Sequence, residues 1–249
     1  MWHRACITIF YMNILTSRVV LSVGLLFLSA CGPTKILDNC DCGFYVDEAG
    51  NKVTWPDGSN VEFSYHSSVP DNVRPSVSAG VLEYNKIFKS LRVQIDDSTD
   101  SSVRSLRDND PQSVSGDGIN GIYWISRDWP WESSSPDSDA MTVVRFTRGR
   151  IVEADVYFRA SSFPAQNISS PTNTYSPTEA SVDSQYVYVI AIHEIGHALG
   201  RVHTENEDSI MFPQVGLDFV SQPFSIWDLT TFQSVYQLSG NASQIASTR

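Results

Sequence analysis

Apolar and polar positions change rhythm several times along the chain, and each rhythm predicts an element. Val61-Glu62-Phe63-Ser64-Tyr65 alternates, as a strand buried on one face does. Pro75 to Lys89 then places Val77, Val81, Leu82, Tyr84, Ile87 and Phe88 at helical spacing, and Leu91 to Ile95 returns to strand. Gly121 to Ser126 reads as another strand. Met141 to Phe146 and Ile151 to Phe158 are two strand-like runs around Thr147-Arg148-Gly149-Arg150, a hairpin signal of the four-residue kind. Helical patterns cover about Asp183 to Leu199 and Ser225 to Leu238. Between these lie loops at Ser98 to Asn120, rich in Ser, Asp and Gly, at Asp128 to Asp139, and at Ser161 to Thr178, which holds three prolines. Strands with helices interspersed and no internal repeat predict a single α+β domain, its sheet mostly N-terminal.

The ends of the chain follow other rules. Val19 to Ala30 (VVLSVGLLFLSA) is a short apolar run directly after Arg18, with small residues at its close. That is the layout of a secretory signal peptide, and the run falls short of the roughly twenty apolar residues a membrane-spanning helix needs. Met12 offers an alternative start for a signal of normal length. Leu28-Ser29-Ala30-Cys31 resembles the lipobox of bacterial lipoproteins, which implies that Cys31 is lipidated and becomes the first mature residue. The following residue is Gly32, not Asp, so in a Gram-negative cell the resemblance implies the outer membrane. Residues 1–30 are thus expected to be a lipoprotein signal peptide. Residues 31–56, with no sustained period, are expected to be a lipidated tether or short pro-segment, and 57–249 the folded domain.

Composition narrows the function classes. The 249 residues carry 17 basic and 28 acidic side chains, a formal charge of -11, so there is no basic surplus to neutralise phosphates and no nucleic-acid partner is expected. Arg4 and Arg18 are the only charged residues among the first thirty, so the rest is more acidic still. The four cysteines do not make a disulfide scaffold. Cys6 and Cys31 lie in the export segment, and Cys40 and Cys42 stand too close together for an unstrained bridge.

The strongest signal is His193-Glu194-Ile195-Gly196-His197-Ala198-Leu199-Gly200-Arg201-Val202-His203. On a helix, His193 and His197 lie one turn apart on one face and can grip one metal ion. Glu194 stands beside the first ligand and can reach a water without itself ligating. Gly200 can end the helix in a left-handed conformation, which turns the chain back so that His203 supplies a third nitrogen. Three protein ligands leave a fourth position for water, the arrangement of a catalytic zinc site.

This pattern resembles the signature of the metzincin metallopeptidases, and Ser209-Ile210-Met211-Phe212-Pro213 looks like the Met-turn of their matrixin branch. Residues 225–236 resemble the closing helix of matrixins, and Glu153 to Phe158 resembles the family's edge strand, which takes substrate as an added strand. The resemblance implies a twisted mixed sheet with an active-site helix, a Met-turn and a C-terminal helix. It implies one catalytic Zn2+ on His193, His197 and His203, with Glu194 as general base for the zinc-bound water and Met211 as a floor that does not ligate. Substrate contacts are expected at Val156 and Pro213.

Some family features are missing. The pro-segment cysteine motif is not recognisable around Cys40 and Cys42, and His66 is the only other histidine beyond the export segment, so no histidine-rich structural zinc loop is expected. Structural Ca2+ is left unassigned. The reading is an exported endopeptidase that cleaves proteins or peptides, attached to the bacterial envelope through its lipid alone. Its alternatives are a non-catalytic lipid-anchored binding module on a protease fold and a zinc hydrolase of non-peptide substrates.

Overall fold

The computed structural model describes residues 3–11, 43–99, 116–168 and 176–243. Among these residues seven strands form one mixed sheet: β1 (His3–Tyr11), β2 (Asn60–Tyr65), β3 (Arg92–Thr99), β4 (Asn120–Ile125), β5 (Ala140–Thr147), β6 (Arg150–Arg159) and β7 (Gln214–Val215). Their order is β3-β2-β4-β6-β5-β1-β7. Strands β3, β2, β4 and β6 run parallel, β5 is antiparallel to β6, β1 is parallel to β5, and β7 is antiparallel to β1. Three helices, α1 (Arg74–Leu82), α2 (Val182–Ala198) and α3 (Ile226–Gln233), complete the α+β architecture that the sequence predicts.

The central helix α2 is apolar on every side. From Tyr186 to Ala198 each residue is buried, because α1, the sheet and the segment after residue 208 enclose it. Ser181 caps its start by accepting a hydrogen bond from the Ser184 amide. A helix with no solvent face draws its stability from packing, so its polar residues are either satisfied or functional.

Both flanking helices end before their periodic pattern does, and the chain beyond each meets the other. The Lys89 amide bonds the Gln237 carbonyl and the Ser239 amide bonds the Ile87 carbonyl, with Phe88 and Leu238 as a bridge pair. This long-range bridge ties the ends of the two predicted helical stretches together in extended form. Residues 83–86 tighten into a 3-10 turn instead.

Two expectations change against the structure. Residues 43–56 are no loose tether: Phe44 and Val53 are buried, the Tyr45 amide bonds the Gly200 carbonyl, and Thr54 exchanges hydrogen bonds with Gly149 and Ile151. They pack on the folded domain, which a free tether would not do and a pro-segment would, and 31–42 of that segment lie outside the described residues. The strand at Glu153 to Phe158 is not an edge. Within β6, Val156 is buried and stands between Ile122 of β4 and Thr142 of β5. Its near-continuous burial from Ala154 to Phe158 is the mark of an interior strand, whereas a half-exposed edge would alternate. The hairpin before it closes tightly. Thr147 pairs with Arg150, leaving a two-residue loop in which Arg148 and Gly149 both take positive φ.

Beyond β6 lies β5, itself paired with β1 on its other side. Its Arg145 ion-pairs with Glu153 and Asp155 of β6, whose carboxylates also accept the Gly118 and Gly121 amides. Burial pushes the Asp155 carboxyl up to about 7 against the pull of Arg145. The exposed side of β5 is covered by β1, from the segment expected to be an export leader. The rest of that leader, with Cys31, Cys40 and Cys42, lies outside the described residues. No helix among the described residues is long and apolar enough to cross a membrane.

Candidate metal centre

The turn that follows α2 is built to bring His203 back to the helix. The Arg201 amide bonds the Gly196 carbonyl and the Gly200 amide bonds the His197 carbonyl, a Schellman closure with Gly200 at φ +94°. A β-carbon on Gly200 would also stand 2.0 Å from the Val53 carbonyl oxygen, so no other residue fits there.

The three histidines meet as the spacing predicts. Their Nε2 atoms form a triangle with sides of 3.0, 3.1 and 3.2 Å. His193 donates from Nδ1 to the Ile210 carbonyl (2.6 Å) and His197 from Nδ1 to the Arg201 carbonyl (2.8 Å). Those bonds fix the tautomer that leaves each Nε2 lone pair free and aimed inward. Burial, with the neighbouring histidines, holds His193 and His197 well below the usual imidazole range, and burial alone brings His203 down to about 4. All three are neutral at neutral pH, the form that ligates.

Zinc fits this donor set. Tetrahedral coordination at zinc–nitrogen distances of roughly 2.0–2.1 Å sets the nitrogens about 3.3 Å apart, close to the separations here. Without a shared cation, the inward lone pairs of His193 and His197, 3.0 Å apart, would repel.

Glu194 is fully buried next to the first histidine. Its Oε2 accepts from the Thr142 hydroxyl at 2.5 Å, while Oε1 has no hydrogen-bond partner. Burial raises its carboxyl well above the usual range, and the Thr142 hydrogen bond pulls the other way.

Met211 is buried beneath α2, where a β-carbon on Gly196 would fall 2.3 Å from its sulfur. Glycine in the zinc motif thus lets the methionine turn close against the helix. Asp228, at the third position of α3, holds that turn. Its carboxylate accepts the Ser209 hydroxyl (2.5 Å), the Ile210 amide (3.2 Å) and the amide and hydroxyl of Ser225, and lies 3.5 Å from the buried Arg201 guanidinium. Ile210 in turn anchors His193. Pro213 directly precedes β7, so it borders the strip between β5 and β7 that β1 fills, whereas Val156 lies in the sheet interior.

Sequence reasoning missed Thr142, Arg201 and Asp228. Only Asp228 left a signal, the Ser225-x-x-Asp228 capping-box spacing.

A helix-borne histidine pair, a third histidine after a glycine turn and a methionine turn beneath them define a metzincin-like centre. The matrixin family model matches residues 108–237, just over half of the chain, and the chain belongs to that family. Over 51 residues it is 41% identical to Matrix metalloproteinase-27 of Tupaia belangeri and, equally, of Homo sapiens. This stretch covers 20% of the chain and 10% of those relatives' length. Among solved structures, that of myroilysin is similar with a TM-score of 0.31 and 13% identity, covering 61% of this chain and 52% of that one.

Proposed function

We propose that this protein is a zinc-dependent endopeptidase that hydrolyses proteins or peptides at the cell surface, tethered by lipid on Cys31. The observation that carries the activity is the convergence of three neutral Nε2 atoms beside a buried glutamate with one unpartnered oxygen. Bound by His193, His197 and His203, zinc supplies a Lewis acid that polarises a carbonyl and acidifies water. The chain's own residues do the rest. Glu194 takes the proton of the attacking water on Oε1 and delivers it to the leaving amine, while Met211 supports the histidines from below.

The peptide class of the substrate is supported by the strip between β5 and β7. It is one strand wide, and β1 fits it as an extended backbone, paired from Ala5 to Tyr11 with β5 and at His3 and Arg4 with β7. A sheet edge that accepts one extended peptide accepts others by the same main-chain hydrogen bonds. Removal of residues 1–30, which the export reading requires, opens the strip.

The activity is tested on the full chain, expressed with its leader in a bacterial host and recovered in its processed form. Incubation with an unfolded protein should yield internal cuts that stop when zinc is chelated and resume when it is restored. Intact substrate beside zinc-loaded protein would reject the endopeptidase reading. For the tether, growth on a labelled fatty acid should mark the wild-type chain but not Cys31→Ser. Equal labelling of that variant would remove Cys31 as the lipid site.

A further inference from the structure

The general base is held from outside its own helix, by a residue of the strand that faces substrate. Thr142 lies on β5, is fully buried, and places its hydroxyl 2.5 Å from Glu194 Oε2 and 3.1 Å from the Glu194 carbonyl oxygen. A hydroxyl has one proton, and a distance of 2.5 Å is that of an O–H donor to a carboxylate, so the proton belongs to the Oε2 contact. Thr142 is β-branched and sits in a paired strand, so its hydroxyl direction is fixed with the backbone.

The last torsion of a glutamate is broad and nearly two-fold, so burial alone does not say which way the carboxylate plane lies. One hydrogen bond from a fixed donor does. It commits Oε2 and leaves Oε1, buried and without a partner, as the oxygen available to a proton. The backbone of Thr142 pairs at the same time with Val156 of β6 and stands opposite Ile7 of β1. One residue thus joins the peptide-accepting edge to the carboxylate that must act on the peptide.

We infer that Thr142 is a positioning residue for catalysis: its hydroxyl sets the plane of the Glu194 carboxylate so that Oε1 faces the reacting water. This rests on the endopeptidase reading above, and it is framed to fail separately from it. A zinc ligand is not involved, so metal binding is indifferent to the hydroxyl.

The test compares the wild-type chain, Thr142→Val and Thr142→Ser, each loaded with zinc. Valine keeps the shape and the strand propensity and removes only the O–H, while serine keeps the O–H. Thr142→Val should lower kcat by roughly ten- to hundredfold, the worth of a hydrogen bond to a charged group, with KM within about twofold. Zinc content and Tm should match the wild type, and Thr142→Ser should recover most of the lost kcat. Crystal structures of the zinc-loaded proteins supply the second readout: one carboxylate orientation at Glu194 in the wild type, a rotated or divided one in Thr142→Val. An unchanged kcat in Thr142→Val, an unmoved carboxylate, or a serine variant as impaired as the valine one would each overturn the inference. A wild type that cuts nothing would defeat the endopeptidase reading, and the carboxylate orientation would still decide the role of Thr142.

Discussion

Glu194→Ala should bind one zinc and cleave nothing measurable. Glu194 does not ligate: the three donors are His193, His197 and His203, whose Nδ1 anchors on Ile210 and Arg201 do not involve its side chain. Metal content should therefore stay at the wild-type level. Catalysis should collapse, because Oε1, on the residue next to His193, is a buried acceptor without a hydrogen-bond partner and so the oxygen available to a proton. Positioned general acid–base groups contribute about 10²–10⁴-fold, so the expected residue of activity is near background. Stability should not fall with it. A carboxylate that is buried with one orphan oxygen costs desolvation energy, and its removal relieves that cost as it opens a small void. Glu194→Gln, which keeps the volume, should lose activity as fully and melt no lower than the wild type. Zinc analysis, a melt and turnover on one peptide check all three. Full turnover in either variant would end the general-base mechanism.

What the sequence disclosed depended on how local the cause was. The zinc motif was legible because its geometry is a property of one helix and one turn: four-residue spacing sets two imidazoles, and Gly200 returns the third. The Met-turn was legible by its distance from that motif. Thr142 was not legible, since it stands 52 positions from Glu194 and looks like any threonine in a strand. The edge assignment failed for a related reason. Both β5 and β6 read as apolar strands, and that β6 sits between β4 and β5 is decided by its pairing with β4, which the pattern of neither strand encodes. The packing of residues 43–56 was not legible because, besides a short hairpin of its own between Val46 and Lys52, the segment is held by bridging to Gly200, Gly149 and Ile151. The apolar periodicity past residues 82 and 233 reflects burial of Ile87, Phe88, Tyr236 and Leu238 in the core, which a non-helical chain achieves as well through the long-range bridge between Phe88 and Leu238.

The largest loss of stability from a single side chain is expected at Asp228. Its carboxylate satisfies two backbone amides and two hydroxyls, and it stands 3.5 Å from Arg201, whose guanidinium is buried among the rings of Phe232, Trp227 and Phe44. Asp228→Ala leaves that charge uncompensated in an apolar cage, a change worth about 3–5 kcal/mol. It also strips one partner from the capping box of α3, and lost caps typically cost about 1 kcal/mol. Denaturant unfolding should register the sum as a lowered midpoint at unchanged slope. Arg201→Met placed on top should recover part of the loss, because it removes the stranded charge. If the double variant is less stable than Asp228→Ala alone, the guanidinium is not the source of the cost. The metal should report the same damage. Asp228 fixes Ser209 and the Ile210 amide, and the Ile210 carbonyl orients His193, so zinc affinity should fall by roughly 10–100-fold, as it does when partners of metal ligands are removed. Wild-type zinc affinity in a destabilised Asp228→Ala would show that the turn keeps its shape without the carboxylate, and that the two roles separate.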